Sequence, residues 1–319
     1  MTVETPTTAS AQPTSRRRVS ASRRGELRGI PEKRPFRFGR WFRQTGWRHL
    51  VGVVMVVFSV FPLLYVLSAS LNPSGTLLSA NGLFSVIDPS NYIHLFNLPE
   101  QPFAAWYGNT LLIGLITSAA TVFLGALAAY AFSRMRFTGR RVGLLTLLLV
   151  QMFPQLLAVV AIFLLLTTIG DVFPALGIDS QLGLILVYLG GALGVNTYLM
   201  YGFFNTVPVS LDEAAKIDGA GHARVFFTII LRLVTPILAV VGLLSFVSST
   251  GEYVIASTVL ISPEKQTLAV GLYQFISQQF SQNWGLFAAG AVLAALPVVA
   301  LFLFLQRYIV GGLTAGAVK

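Results

Sequence analysis

Six apolar runs, each close to twenty residues or longer, dominate this 319-residue sequence. An α-helix needs ~20 such residues to cross ~30 Å of hydrocarbon. Backbone amides find no water in that layer, so a spanning segment must satisfy them internally, as a helix does. The runs lie at about residues 49–71, 110–132, 142–167, 182–204, 233–260 and 286–308. Pro62 predicts a kink in the first. That run is too long for a cleaved signal peptide, although Ser68-Ala69-Ser70 has the small residues of a cleavage site. Hydrophobic residues make up 55% of the chain and charged residues only 11%, whereas a soluble domain is about a quarter charged. The expected fold class is an all-α integral membrane protein with six transmembrane helices.

The basic residues set the orientation. Twelve of the 22 Lys and Arg precede residue 50. Arg134, Arg136, Arg140 and Arg141 follow the second run; Lys216, Arg224 and Arg232 follow the fourth; Arg307 and Lys319 follow the sixth. Six spans put all of these on one side and leave Lys265 alone on the other. Positive charge is retained on the cytoplasmic side, so both termini are expected there. Residues 1–45, rich in Thr, Ser, Pro and Arg, read as a disordered basic cytoplasmic tail. Trp41, Phe42 and Trp47 suggest a short interfacial segment leading into the first span, and the tail's cations suit an anionic leaflet better than a nucleic acid. Residues 46–319 form the expected transmembrane domain.

Several chemistries are excluded. The chain has no cysteine, hence no disulfide or thiol chemistry. It has no phosphate-binding G-x-x-x-x-G-K-[ST] loop. His49, His94 and His222 are isolated, and none has a ligand at metal-binding spacing. No catalytic, cofactor-binding or metal-binding residue is expected.

Polar residues at membrane depth usually face a bundle interior or a water-filled path. The third run carries Gln151 and Gln155 around Pro154, the fourth Asn196 and Thr197, and the fifth Ser245, Ser248, Ser249, Thr250 and Glu252. Gln151, Pro154, Gln155, Asn196, Ser248 and Glu252 are candidates for a translocation path; interhelical hydrogen bonding is an equal reading of each. Gly114, Ser118, Gly125 and Ala129, and then Gly190, Gly191 and Gly194, allow close helix approach, within the bundle or against a partner.

Between the fourth and fifth runs lies a short charged segment, Ser210 to Ala220. Ser210 and Glu213 have capping-box spacing, Asp212 and Lys216 form an i,i+4 pair, Ala214 and Ala215 offer a thin face, and Gly219 permits a sharp exit. With Glu213-Ala214-Ala215, Gly219, Ile229 and Leu231 at matching offsets, this segment resembles the EAA loop of ATP-binding-cassette (ABC) importer permeases; Arg232 stands where that pattern has Pro, and Pro236 follows. Gln151 to Pro154, Tyr188 to Gly191, Thr267 to Gly271, Leu296-Pro297 and the end from Gln306 to Lys319 resemble the smaller, MalG-type permease subunit of the maltose/maltodextrin importer.

The resemblance implies a binding-protein-dependent importer subunit in a bacterial plasma membrane, moving maltose or maltodextrins without an ATPase site of its own. Its implied partners are a second permease subunit, a cytoplasmic ATPase dimer holding ATP and Mg, and an extracytoplasmic sugar-binding protein. Ser210, Asp212, Glu213, Ala214, Ala215, Lys216, Gly219 and Ala220 would form the ATPase-coupling element. The third outside loop, within about residues 262–284, would reach the binding protein, and the sugar site would belong mostly to the other permease subunit. The alternatives are the same fold importing another solute, such as trehalose or glycerol phosphate, and a membrane enzyme or scaffold without transport.

Overall fold

The computed structural model describes residues 42–73, 82–277 and 283–315, apart from a few side chains that include Gln155. Residues 1–41, nearly all of the expected basic tail, lie outside the described residues, as do 316–319 and the tips of two expected outside loops. The chain divides into two units, residues 1–58 and 59–319. In the first, a π-helical turn over Phe42–Gly46 leads into helix α1 (Trp47–Ser70). Its apolar side chains, Phe58 at 77% exposure among them, are open, as a lipid-facing or partner-facing helix requires. The Arg48 guanidinium lies 5.8 Å from the centre of the Trp47 ring.

Among the described residues the second unit contains the remainder of α1, two short 3-10 helices and eleven further helices. They are α2 (Ser90–Asn97), α3 (Phe103–Arg134), α4 (Arg140–Gln151), α5 (Gln155–Val172) and α6 (Gln181–Phe204). Then come α7 (Val209–Ile217), α8 (His222–Leu233), α9 (Thr235–Gly251), α10 (Val254–Val259), α11 (Leu268–Gln274) and α12 (Trp284–Ala315). No strand occurs among the described residues. Helices α1, α3, α6 and α12 are long and apolar enough to cross a membrane; α8 and α9, bent by 79°, add a fifth span if taken together.

Two of the predicted runs are interrupted. The third divides into α4 and α5 around Met152–Pro154. Pro154 has no amide to donate and disfavours a helical Phe153, so the first helix stops and the second starts with Pro154 as its N-cap. The fifth ends at Gly251, where Glu252 is extended, and resumes as α10. Before it, the elbow at Val234 precedes Pro236, which occupies the first turn of α9. Within α8, Phe226–Ile230 is a π-helical segment.

Helix α3 is the axis of the unit, packed along α6 and α9, and α12 packs against α9. Small residues set these approaches. Gly125 abuts Met200 and Thr197, and Gly114 abuts Phe246 and Thr250, leaving no room for a β-carbon at Gly114. Three buried apolar clusters follow one another along α3. One surrounds Tyr130, Phe204 and Phe226, one surrounds Ile113, Tyr188 and Ile255, and one surrounds Phe103, Trp106 and Leu272.

At the Phe103 end of α3, a polar clasp joins the turn before α6 to the segment after α10. Asp179 adopts φ 61°, a left-handed conformation that Asp tolerates better than most residues. Its carboxylate accepts from Ile261 N at 3.0 Å, Ser262 N at 2.8 Å, Ser262 Oγ at 2.6 Å and Lys265 Nζ at 2.9 Å. Burial alone would raise the Asp179 carboxyl, but these donors from Ser262, Lys265 and Ile261 outweigh it and hold its pKa at about 2. Trp106 Nε1 donates to Pro263 O at 2.7 Å, and Asn109 Nδ2 donates to the carbonyls of Glu264 and Gln266.

Candidate functional site

The charged segment between α6 and α8 forms a helix, α7, with a defined entrance and exit. Pro208, extended at φ −58° and ψ 132°, is its N-cap. The helix therefore begins at Val209, and Ser210 already lies in the first turn. That is why the expected capping box of Ser210 and Glu213 does not form: no side chain caps this end. The exit behaves as expected. Gly219 has φ 80°, Gly219 N donates to Lys216 O at 3.0 Å, and Ala220 N donates to Ala215 O at 2.9 Å. This is the paired closure of a Schellman turn, with Gly in the left-handed position.

The helical period splits α7 into two faces. Asp212 and Ala215 are buried, while Leu211, Glu213, Ala214, Lys216 and Ile217 are exposed. Ile217 is 87% exposed. Asp212 consequently does not meet Lys216. It turns inward to the last residue of α3, where Arg134 Nε lies 2.6 Å from Asp212 Oδ2 with both side chains about 95% buried. Arg134 also donates through its NH2 group to Val207 O at 2.8 Å, one residue before the N-cap. One guanidinium thus holds both the entrance turn and the inner face of α7. Asp212 Oδ1 has no hydrogen-bond partner among the described residues. Ala215 packs with Phe204, Val225 and Phe226, and Ala220 rests against the same cluster. Glu213 and Lys216 border an open polar recess of about 620 Å³ together with Arg136, Arg140 and His222. Of the expected coupling residues, Asp212 and Ala215 anchor the helix; Glu213, Ala214 and Lys216 are presented outward.

A second polar site lies between α4, α6 and α9, beside α3. The structure brings Gln151, Asn196, Ser248 and Glu252 around one cavity of about 420 Å³, with Thr117, Tyr188 and Ser245. Pro154 is not in its wall; it makes the break that ends α4 just after Gln151. The Gln155 side chain lies outside the described residues. Gln151 Nε2 donates to Gly191 O at 2.7 Å, across Gly194, where a β-carbon would collide with the Gln151 amide. Glu252 serves the fold directly. Its carboxylate accepts from Ile255 N, Ala256 N and Tyr188 Oη at 2.8–2.9 Å, which starts α10 and ties it to α6. Among the described residues, no group of His, Cys, Asp and Glu is placed to hold a metal ion.

The sequence signals that could have revealed more were weak. Arg134 and Asp212 are distant in the chain, and the local i,i+4 rule favoured Lys216. The Asp179 clasp has no motif. Ile217 was legible as an apolar residue in a charged helix, which marks an uncovered contact.

Residues 121–314 match the family described as "Binding-protein-dependent transport system inner membrane component". The "Galactooligosaccharides transport system permease protein GanQ" of Bacillus subtilis (strain 168) is 41% identical over 272 residues, covering 85% of this chain and 94% of that protein. The "Maltodextrin transport system permease protein MdxG" of the same organism is 41% identical over 274 residues, covering 85% and 95%. Among solved structures, a chain of a bacterial ABC transporter involved in importing the acidic polysaccharide alginate superposes with a TM-score of 0.68 at 25% identity. The match covers 86% of this chain and 99% of that one.

Proposed function

The chain belongs to the binding-protein-dependent transport system inner membrane component family, and from that membership we propose that it is the permease subunit of an ATP-driven importer of maltose and maltodextrins. Its six spans are α1, α3, the broken pair α4 and α5, α6, the bent pair α8 and α9, and α12. Both termini lie in the cytoplasm of a bacterial cell, a reading supported by the one-sided distribution of Lys and Arg. Residues 1–45 act as a basic cytoplasmic tail. The chain binds no cofactor; ATP and Mg belong to a partner ATPase dimer. A second permease subunit completes the pathway, and an extracytoplasmic binding protein delivers the sugar.

The observation that carries this reading is the presentation of α7. Leu211, Ala214 and Ile217 are exposed beside Glu213 on a helix whose other face is locked to α3 by Arg134 and Asp212. An aliphatic side chain open to water on a rigid helix fits a groove on a partner. ATP-driven closure of the partner dimer would displace α7, and the buried ion pair would pass that displacement to α3. Such a cycle runs only if ATP and the loaded binding protein favour one conformation over another.

The similarity to a galactooligosaccharide permease supports a second reading, the same machine serving galactose oligomers. Uptake of labelled maltotriose, galactotriose and trehalose by cells with and without this chain decides between them. Loss of maltotriose uptake alone establishes the maltodextrin reading. Loss of another sugar in its place keeps the importer and changes the substrate, and unchanged uptake of all three overturns the sugar assignment.

A further inference from the structure

The cavity between α4, α6 and α9 has a chemical preference of its own. Among the described residues no Lys, Arg or His lines it, and Glu252 is the one carboxylate. Glu252 already accepts three hydrogen bonds from the protein. An anionic solute would meet this carboxylate and, among the described residues, no counter-charge. Neutral hydrogen-bonding groups, by contrast, are in surplus. Gln151 commits its Nε2 to Gly191 O and leaves Oε1 as an acceptor, while Asn196 and Ser248 supply an amide and a hydroxyl at the wall. Behind them Thr117 and Ser245, 1% and 3% exposed, have hydroxyl oxygens with no partner among the described residues. Those two oxygens are closed off from solvent, so a solute in the cavity would meet Gln151, Asn196 and Ser248 rather than them. A volume of about 420 Å³ falls within the ~300–1,000 Å³ typical of small-molecule sites.

We propose that this chain itself binds a neutral sugar unit in this cavity, with Gln151, Asn196 and Ser248 bonding its hydroxyls as it passes. The inference rests on the importer reading above and goes beyond it. The resemblance to maltose importers places most of the sugar site on the other permease subunit, whereas this cavity adds a second wall and restricts the cargo to uncharged polyols. Sugar hydroxyls both donate and accept, so one ring satisfies an amide, a carboxamide oxygen and a serine together.

The test exploits the absence of cysteine from the chain. Asn196→Cys and Ser248→Cys are introduced singly into the complete importer, reconstituted with its ATPase and binding protein. Modification by a small thiol reagent is followed on this chain by mass spectrometry during turnover, with and without maltotriose. Sugar is expected to slow labelling several-fold at both positions. Equal labelling with and without sugar, in a complex that still transports, overturns the proposal. If the unaltered complex transports no sugar, the importer reading fails instead. In parallel, Asn196→Ala and Ser248→Ala are expected to lower maximal sugar flux by about fivefold each, the loss of one neutral hydrogen bond, while ATPase stimulation by the loaded binding protein persists. Unchanged flux, or equal loss of flux and ATPase stimulation, assigns these residues to packing and also overturns the proposal.

Discussion

Trp106 and Gly271 are in such close contact that a β-carbon on Gly271 would lie within 2.5 Å of three carbons of the indole. The same indole donates to Pro263 O and meets Phe275 edge-on at 6.3 Å, so it cannot retreat without giving up both. Gly271→Ala is expected to destabilise the fold by ~1–3 kcal/mol, as overpacking does. Gly108→Ala, where no atom stands within 4 Å of the added carbon, is the control. Thermal melting of the purified chain in detergent should separate the two, with only the Gly271 variant melting early.

The Arg134–Asp212 pair should behave as a buried charge pair. Arg134→Ala leaves Asp212 without its counter-ion and is expected to cost ~3–5 kcal/mol. Exchanging the partners, Arg134→Asp with Asp212→Arg, should recover part of that loss but not all, because the bond to Val207 O is lost. Melting and folded yield across this cycle check the interaction; additive losses would show that the pair is not coupled.

Gly219 tests the exit from α7. Its φ of 80° lies in the left-handed region and an added β-carbon would meet no atom within 4 Å, so a substitution there is penalised by backbone strain. Gly219→Val is expected to cost ~1–2 kcal/mol, with Gly219→Asn affected less. Hydrogen exchange across α7 should rise in the order Gly, Asn, Val, with sugar uptake falling in step.

The outward face of α7 should be silent in the isolated chain and decisive in the complex. Ile217→Asp and Glu213→Ala remove exposed side chains, and surface changes of this kind usually fall within ~0.5 kcal/mol. Unchanged melting with lost co-purification of the partner ATPase is the expected result. Retained ATPase binding and uptake in both variants would remove α7 as the docking element.

Asp179 makes the clasp at the Phe103 end of α3 sensitive to acid. Its carboxyl titrates at about 2 in the fold, against an ordinary value near 3.8. A group whose pKa is depressed on folding contributes in full above its unfolded pKa, and the contribution is lost as pH falls through the folded value. Stability should therefore decline between pH ~4 and pH ~2, and Asp179→Asn should flatten that window while lowering stability at neutral pH. Melting temperature as a function of pH provides the comparison.

The apolar runs were legible because the bilayer imposes its thickness on any sequence that crosses it. Gly219 was legible because a helix exit with positive φ admits few residues. The ion pair of Arg134 and Asp212 was not, since only the packing of α3 against α6 brings their chain-distant backbones together. Pro208 outweighed Ser210 at the start of α7 because a helix boundary follows the backbone that can enter it, and the hydroxyl comes two residues too late. Gln151, Asn196, Ser248 and Glu252 could be picked out as polar residues at depth. That Glu252 is consumed by α10 and Tyr188, while the other three remain open to the cavity, depends on side-chain directions that no linear pattern encodes.

Helix α3 runs for 32 residues without proline or a change of helical type, a length of about 48 Å. Arg134 fastens one end to α7, and Trp106 and Asn109 fasten the other to the segment after α10. The runs that make α4 and α5, and α8 and α9, are interrupted, whereas α3 and the α6 packed along it are not. An unbroken helix has no joint at which to absorb a tilt, so a displacement applied at Arg134 is expected to reappear at Trp106 with its lever arm intact.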